Sequence, residues 1–291
     1  MYLILSRFDA EVQESLPPGQ EVLVLSTTSN LGGSSGGGSQ PDTFQLLIES
    51  EDFSIDPYTG LISTKLRLDR EKASYHLLVV GLKGGQGSGG EPSDTATVNI
   101  TVVDINDNDP AFTDSCKDLS LPENYRDKNG DDPFTLIHTV TGYDPDSGAN
   151  GKLTYSLLNP DGGWASSSAN FRVDKETGAL SARALDREEV SAYDVVVVAT
   201  DSGDDPRSAR CEFTVRVTDM NDNRPVFSQY IYSTSLREDL PVGSEVLRVS
   251  ATDSDTGLNA KVRYSIENAT DWSFGIDPDT GSIFSVAQLD R

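Results

Sequence analysis

The chain has 291 residues and carries 23 basic against 47 acidic side chains, a net charge of −24. That balance argues against DNA, RNA or an anionic lipid surface as the main partner and makes cations the natural counter-ligands. The length exceeds what one core usually organises, and no stretch approaches the ~20 apolar residues that cross a bilayer, so the sequence reads as a soluble, multidomain piece.

In chain order, Met1-Tyr-Leu-Ile-Leu5 is too short for a signal-peptide core and reads as a first strand or an edge. Val12-Gln-Glu-Ser-Leu-Pro-Pro-Gly-Gln-Glu-Val22 is echoed by Leu236-Arg-Glu-Asp-Leu-Pro-Val-Gly-Ser-Glu-Val246 and, more loosely, by Leu121-Pro-Glu-Asn124. These segments share Glu14, Glu238 and Glu123, and such self-similarity is the first sign of a repeat architecture. Two low-complexity stretches, Gly32–Ser39 and Gly84–Gly90, read as flexible solvent loops. The first stands where later segments carry Asp144-Pro-Asp146 and Asp253-Ser-Asp255, and the second follows Lys83, which aligns with Asp201.

Ile55-Asp-Pro-Tyr-Thr-Gly60, Val173-Asp-Lys-Glu-Thr-Gly178 and Ile276-Asp-Pro-Asp-Thr-Gly281 each read as a strand end turning at glycine into another strand. Leu68-Asp-Arg-Glu71, Leu185-Asp-Arg-Glu188 and Leu289-Asp-Arg291 follow them. Alternation then marks strands: Tyr75, Leu77 and Val79 as an inward face with His76 out of phase, Val98, Ile100 and Val102 as another, and Tyr193, Val195, Val197 and Ala199 as a third. Many short strands with Gly and Pro turns and no helical period predict an all-β chain of tandem antiparallel β-sandwiches.

Asp104-Ile-Asn-Asp-Asn-Asp-Pro-Ala-Phe112 returns in the same frame as Asp219-Met-Asn-Asp-Asn-Arg-Pro-Val-Phe227, roughly one domain length on. A packed core does not collect carboxylates and amides so densely, whereas hard cations want such oxygen ligands. The proline and phenylalanine fit a new strand after an extended connector. The expected domains are 1–108, 109–223 and a shortened 224–291. Cys116 and Cys211 fall within the middle domain, where a disulfide and two buried thiols fit equally.

Other chemistries fit less well. An EF-hand loop starting at Asp144 needs a glutamate at its twelfth position, where Tyr155 stands. His76 and His138 have no nucleophile motif nearby and read as surface histidines. Paired carboxylates serve glycoside hydrolysis, but catalytic pairs do not usually recur once per domain, so the chain reads as no enzyme. Asn99-Ile-Thr101 and Asn268-Ala-Thr270 are N-glycosylation sequons, and Asn99 alternates out of phase with Val98 and Ile100, toward solvent.

The glutamate after the first strand, the paired aspartates Asp144 and Asp146, the Leu-Asp-Arg-Glu string, Ala199-Thr-Asp201 and the Asp-x-Asn-Asp-Asn linker occur together in the order of the cadherin repeat family. Over essentially its whole length the chain resembles that family. The resemblance implies Greek-key sandwiches joined by linkers that each bind about three Ca²⁺, an ion that takes roughly six to eight oxygens in tolerant geometry. For the first junction it implies ligands from Glu14, Asp69, Glu71, Asp104, Asn106, Asp107, Asp144, Asp146 and Asp201, with the carbonyls of Ile105, Asn108 and Asn150. For the second it implies Glu123, Asp186, Glu188, Asp219, Asn221, Asp222, Asp253 and Asp255, with the carbonyls of Met220, Asn223 and Asn259, and one weakened site because the counterpart of Asp201 lies past Arg291.

Function by resemblance is Ca²⁺-dependent cell–cell adhesion, with another cadherin ectodomain as partner and a membrane anchor outside this stretch. The expected location is the extracellular face of the plasma membrane. A Ca²⁺-stiffened spacer or receptor segment without self-adhesion is the alternative. The acids missing from the first repeat fit an outermost repeat or a metal-free bend. No tryptophan stands near the start, with Trp164 and Trp272 elsewhere, so the chain departs from the strand-exchanging subtype and is more similar to the protocadherin, Fat and Dachsous branches.

Overall fold

The computed structural model describes residues 6–26, 42–83, 92–113, 115–126, 132–158, 163–165, 168–267 and 273–290. Met1–Leu5, both glycine-rich loops, Asn268, Trp272 and Arg291 lie outside the described residues. Every regular element among the described residues is a strand.

The first set is β1 (Ser6–Gln13), β2 (Glu21–Val24), β3 (Thr43–Leu46), β4 (Phe53–Ile55), β5 (Leu61–Thr64), β6 (Tyr75–Lys83) and β7 (Asp94–Val103). The second is β8 (Ala111–Phe112), β9 (Leu119–Pro122), β10 (Thr135–Thr139), β11 (Gly142–Tyr143), β12 (Thr154–Leu158), β13 (Trp164–Ala165), β14 (Phe171–Val173), β15 (Ala179–Ala182), β16 (Ala192–Thr200) and β17 (Ser208–Thr218). The third is β18 (Val226–Phe227), β19 (Glu245–Arg248), β20 (Ala251–Thr252), β21 (Phe274–Ile276) and β22 (Ser282–Ser285).

Seven strands of the first set form sheets of order β1-β7-β6-β3 and β2-β5-β4, so the chain crosses between sheets in the Greek-key manner. The middle set repeats this with β13-β12-β16-β17-β9 and β10-β15-β14, and the third gives β19-β22-β21 and β18-β20. A register shift recurs at the equivalent place in all three, between Glu21 and Leu23, Leu136 and His138, and Glu245 and Leu247. Among the described residues the antiparallel expectation meets an exception in each complete set. β1 pairs with β7, and β9 with β17, in parallel. In each complete set, then, the last strand runs in the same direction as the edge strand beside it, which ends at the buried glutamate.

Spatially the chain gathers into two compact units, Met1–Thr113 with Thr141–Tyr155 and Val198–Arg210, and Asp114–Val140 with Ser156–Val197 and Cys211–Arg291. Each acidic linker string therefore falls whole inside one unit. The first unit's core packs Val12, Leu25, Phe44, Phe53, Ile62, Leu78, Val80, Val98 and Ile100. Full burial of each such side chain contributes roughly 1.5–3 kcal/mol. In the second unit Phe171, Val173, Leu180, Val195, Val197, Phe213 and Val215 are buried, and Cys116 and Cys211 are joined by a disulfide with Cα atoms 5.4 Å apart.

The phase of β6 is the reverse of the sequence reading. Leu78 and Val80 are the buried residues, while Tyr75 and Leu77 face outward. Apolar residues stand on both faces here, so alternation alone could not choose between them. The histidines are corrected with it: His76 is half-buried, its ring 5.0 Å from that of Phe53, and half-buried His138 lies edge-on to Phe213 with Nε2 2.7 Å from the Ser115 carbonyl.

The Asp-x-x-Thr-Gly strings form one turn three times. Asp56 Oδ1 accepts from the amides of Tyr58 and Thr59, Asp174 Oδ1 from Glu176 and Thr177, and Asp277 Oδ1 from Asp279 and Thr280. Gly60, Gly178 and Gly281 then take positive φ of 71°, 70° and 67°. A Cβ on any of them would lie 2.3 Å from a carbonyl oxygen, of Leu25, Val140 or Val249 respectively.

Candidate metal centre

Each centre is built on a buried glutamate at the end of an edge strand. Glu14 follows β1, is 1% exposed, and accepts from the Arg70 amide at 2.7 Å and the Ile105 amide at 3.0 Å. It thereby ties the Leu-Asp-Arg-Glu turn to the linker. Burial raises its carboxyl above the usual glutamate value, those two amides oppose the rise, and Glu71 and Asp107 add to it. Glu14, Glu71 and Asp104 bring carboxylate oxygens within 4.8 Å of one another, as do Glu71, Asp107 and Asp146.

The loop after β11 supplies the opposite side. Asp144 Oδ1 accepts the Asp146 amide at 2.9 Å, which turns the loop inward and leaves Asp144 and Asp146 8% and 7% exposed. Asn108 donates through Nδ2 to Asp146 at 2.7 Å, and Asn106 through Nδ2 to Asp201 at 3.1 Å. Asp104 accepts from the Ser147 amide at 3.0 Å and from Asn150 Nδ2 at 2.8 Å. Asp69 is half-exposed, and Lys72 contacts it at 2.6 Å and holds its carboxyl below the usual value.

The second centre repeats the construction. Glu123, 1% exposed, accepts from the Arg187 amide at 3.0 Å and the Met220 amide at 2.6 Å. Glu123, Glu188 and Asp219 form the carboxylate cluster. Asp219 accepts from the Thr256 amide and Asn259 Nδ2, Asn223 Nδ2 donates to Asp222 and Asp255, and the Asp255 amide donates to Asp253 Oδ1. Asp186 caps its own turn by accepting the Glu189 amide at 3.2 Å, while Asn221 is exposed on the linker.

Three oxygens decide what these centres can hold. Asn106 Oδ1, Asp144 Oδ2 and Asp255 Oδ2 are buried without a hydrogen-bond partner. Burying a carboxylate oxygen without a donor is costly, and a hard cation is the group that relieves it. Burial raises the Asp144 carboxyl, and the charges of Asp146, Asp201 and Asp104 raise it further, against the Asp146 amide; Asp222 is raised in the same way by burial, Glu123 and Asp255. A donor set of carboxylates, amides and backbone oxygens, with neither histidine in it, fits Ca²⁺ rather than Zn²⁺.

Several participants carry no sequence signal as ligands. Arg70 contacts Glu71 and Asp104 and donates to the Pro145 carbonyl at 2.6 Å; Arg187 contacts Glu188 and Asp219 and donates to the Ser254 carbonyl at 2.9 Å. Ser15 and Asn124, both at positive φ, reach Asp107 and Asp222 from equivalent places. Gly203 is hemmed in, since a Cβ there would lie 2.5 Å from Asn106 Nδ2 and 2.7 Å from Asn150 Oδ1. The recurrence of each arginine inside its motif was the one signal available.

Comparison with known proteins agrees with this architecture. The Cadherin domain family matches residues 8–103, 123–218 and 232–291. Protein dachsous of Drosophila melanogaster is 35% identical over 307 residues, covering 98% of this chain and 8% of that protein. Protocadherin Fat 4 of Mus musculus is 37% identical over 295 residues, covering 99% of this chain and 6% of that protein. The chain thus spans a small part of these relatives' length. Among solved structures, mouse cadherin-23 EC22-24 matches with a TM-score of 0.77 at 27% identity, covering 99% of this chain and 87% of that one. Protocadherin gamma B2 extracellular cadherin domains 1-5 match with a TM-score of 0.74 at 28% identity, covering 99% of this chain and 53% of that one. With the family matched over most of the sequence and such relatives aligned almost end to end, the chain belongs to the cadherin family.

Proposed function

We propose that this chain is part of an adhesive ectodomain on the extracellular face of the plasma membrane, with Ca²⁺ stiffening the linkers between successive repeats. The repeats would run 1–108, 109–223 and 224–291, and the partner would be a second cadherin ectodomain, the same or related. The observation that carries the reading is a buried, donor-free carboxylate oxygen in each of two separate centres, on Asp144 at the first position of one Asp-x-Asp loop and on Asp255 at the third position of the other. Glu14, Asp69, Glu71, Asp104, Asn106, Asp107, Asp144, Asp146 and Asp201, with the carbonyls of Ile105, Asn108 and Asn150, would hold the ions of the first centre. Glu123, Asp186, Glu188, Asp219, Asn221, Asp222, Asp253 and Asp255, with the carbonyls of Met220, Asn223 and Asn259, would hold those of the second. The ions supply counter-charge where carboxylates otherwise repel by a few kcal/mol per close pair, on the order expected at intermediate dielectric. The role is mechanical and adhesive rather than catalytic. The disulfide supports an oxidising compartment.

Calorimetric titration with Ca²⁺, paired with small-angle scattering and repeated on Asp107→Ala, tests the metal reading. Binding of several ions with elongation that the variant loses is the expected result; no binding at millimolar Ca²⁺ overturns it. Sedimentation of the chain with and without Ca²⁺ tests adhesion: Ca²⁺-dependent self-association supports a like partner, and a monomer at all concentrations favours a heterologous partner or a spacer.

A further inference from the structure

The outer face of sheet β1-β7-β6-β3 carries an apolar pair that the core does not use. Tyr75 and Leu77 are 67% and 61% exposed. Leu77 stands directly across from Asn99 on β7, Tyr75 across from Thr101, and Asp9 of β1 flanks Asn99 on its other side. Asn99 is half-exposed, and its Nδ2 donates to Asp9 Oδ1 at 3.2 Å. The acceptor sequence Asn99-Ile-Thr101 thus lies at the centre of the patch, with both its polar residues facing out.

The middle repeat shows what the same face looks like without that sequence. The Val102 amide donates to the Ser74 carbonyl and the Val217 amide to the Ser191 carbonyl, which aligns Leu77 with Asp194 and Asn99 with Thr214. There Thr214 Oγ1 donates to Asp194 Oδ1 at 3.0 Å, the Thr214 amide donates to Asp118 Oδ1 at 2.9 Å, and Arg216 contacts Asp118 at 3.7 Å. Where the middle repeat places Asp194, bonded to Thr214, the first places an uncovered leucine, and the asparagine acceptor, bonded to Asp9, stands at the position of Thr214.

We propose that Asn99 carries an N-linked glycan whose first sugar lies over Leu77 and Tyr75, withdrawing this face from protein contact. Transfer forms a bond from Asn99 Nδ2 to C1 of an oligosaccharide carried on a lipid diphosphate. The C1–O bond to the diphosphate breaks, the amide loses one proton, and the lipid diphosphate leaves. A pyranose presents an apolar C–H face that suits an aromatic ring and a leucine side by side, so the patch is matched to carbohydrate. Exposed apolar patches commonly mark docking surfaces; a glycan rooted at this one assigns it an occupant. The inference rests on the extracellular reading proposed above.

The test is secretion of the chain from a mammalian cell, followed by N-glycosidase digestion in ¹⁸O-water and peptide mass spectrometry. Most molecules are expected to show Asn99 converted to labelled aspartate, a signal absent in Asn99→Gln and equally in Thr101→Ala, which keeps the asparagine. Nitration of Tyr75 by tetranitromethane is expected to be several-fold slower with the glycan than in Thr101→Ala. Unmodified Asn99 in secreted chain that has formed its Cys116–Cys211 bond overturns the proposal, as does equal nitration of Tyr75 in both forms. A Ca²⁺ titration on the same material reports separately: intact binding without the glycan leaves the calcium reading standing, and a glycan without Ca²⁺ binding removes that reading alone.

Discussion

Gly178 shows how much one position in this fold constrains. Its φ of 70° is one that side chains rarely adopt, and a Cβ would meet the Val140 carbonyl at 2.3 Å. That carbonyl belongs to the residue whose own amide donates to the Gly178 carbonyl at 3.0 Å, so the close approach is part of the sheet's pairing. Gly178→Ala is expected to cost about 1–3 kcal/mol from the backbone alone. The measurement is the urea midpoint of the middle repeat, and an unchanged midpoint would mean the turn relaxes freely. The aspartates that open these turns set an acid limit. Asp56 is held below the usual value first by the Thr59 amide, Asp174 by the Thr177 hydroxyl and Asp277 by the Thr280 amide. A depressed folded pKa gives stability that is present above the unfolded value and lost as pH falls through the folded one, so this contribution fades below about pH 4. In Ca²⁺-free solution, Asp174→Asn should lower stability more at pH 6 than in strong acid; an equal loss at both would assign the residue a different role.

Among the elements, β17 ties the core of the middle repeat to the second acidic string. It pairs with β9 in parallel, holds the buried Phe213, Val215 and Val217, and ends in the residues that lead to the second acidic string. Cys211 lies on this strand and closes a loop to Cys116 across a sequence separation of 95 residues. For a loop of that size the chain-entropy account gives a stabilisation of about 4–5 kcal/mol, and native bonds in practice contribute roughly 2–5. The Cys116→Ser, Cys211→Ser double variant should therefore lose protection of β17 amides in hydrogen exchange by an amount in that range, while β7 in the first repeat keeps its protection. Equal loss in both strands would show that the bond stabilises more than its own sandwich.

For the whole molecule, the net charge of −24 sets the response to cations. Both acidic strings lie on connectors without regular structure, between Val103 and Ala111 and between Thr218 and Val226. If ions hold these connectors, a protease that cleaves beside aspartate should cut at Asp104, Asp107, Asp219 and Asp222 in chelator, and at least about ten-fold more slowly in millimolar Ca²⁺. A ten-fold change corresponds to about 1.4 kcal/mol, well within what closing one ion site contributes. Added monovalent salt should slow cutting much less, because screening weakens repulsion without supplying a ligand. Identical cutting in Ca²⁺ and chelator would remove the stiffening role.

The sequence by itself determined the repeat, the strand-rich class and the turn strings, because every one of these recurs in frame and is set by local chemistry. Glu14 and Glu123 could be paired by position before any contact between them and the linkers was known. Tertiary structure alone decided the rest. The face that β6 turns inward was illegible because Tyr75, Leu77 and Val79 look as apolar as Leu78 and Val80, and the choice is made by the sheet packed beneath them. The parallel pairing of β1 with β7 depends on which strand arrives at the edge after the whole sandwich closes. The roles of Arg70, Ser15 and Gly203 depend on loops far apart in the chain meeting at one point, and no local pattern encodes such a meeting.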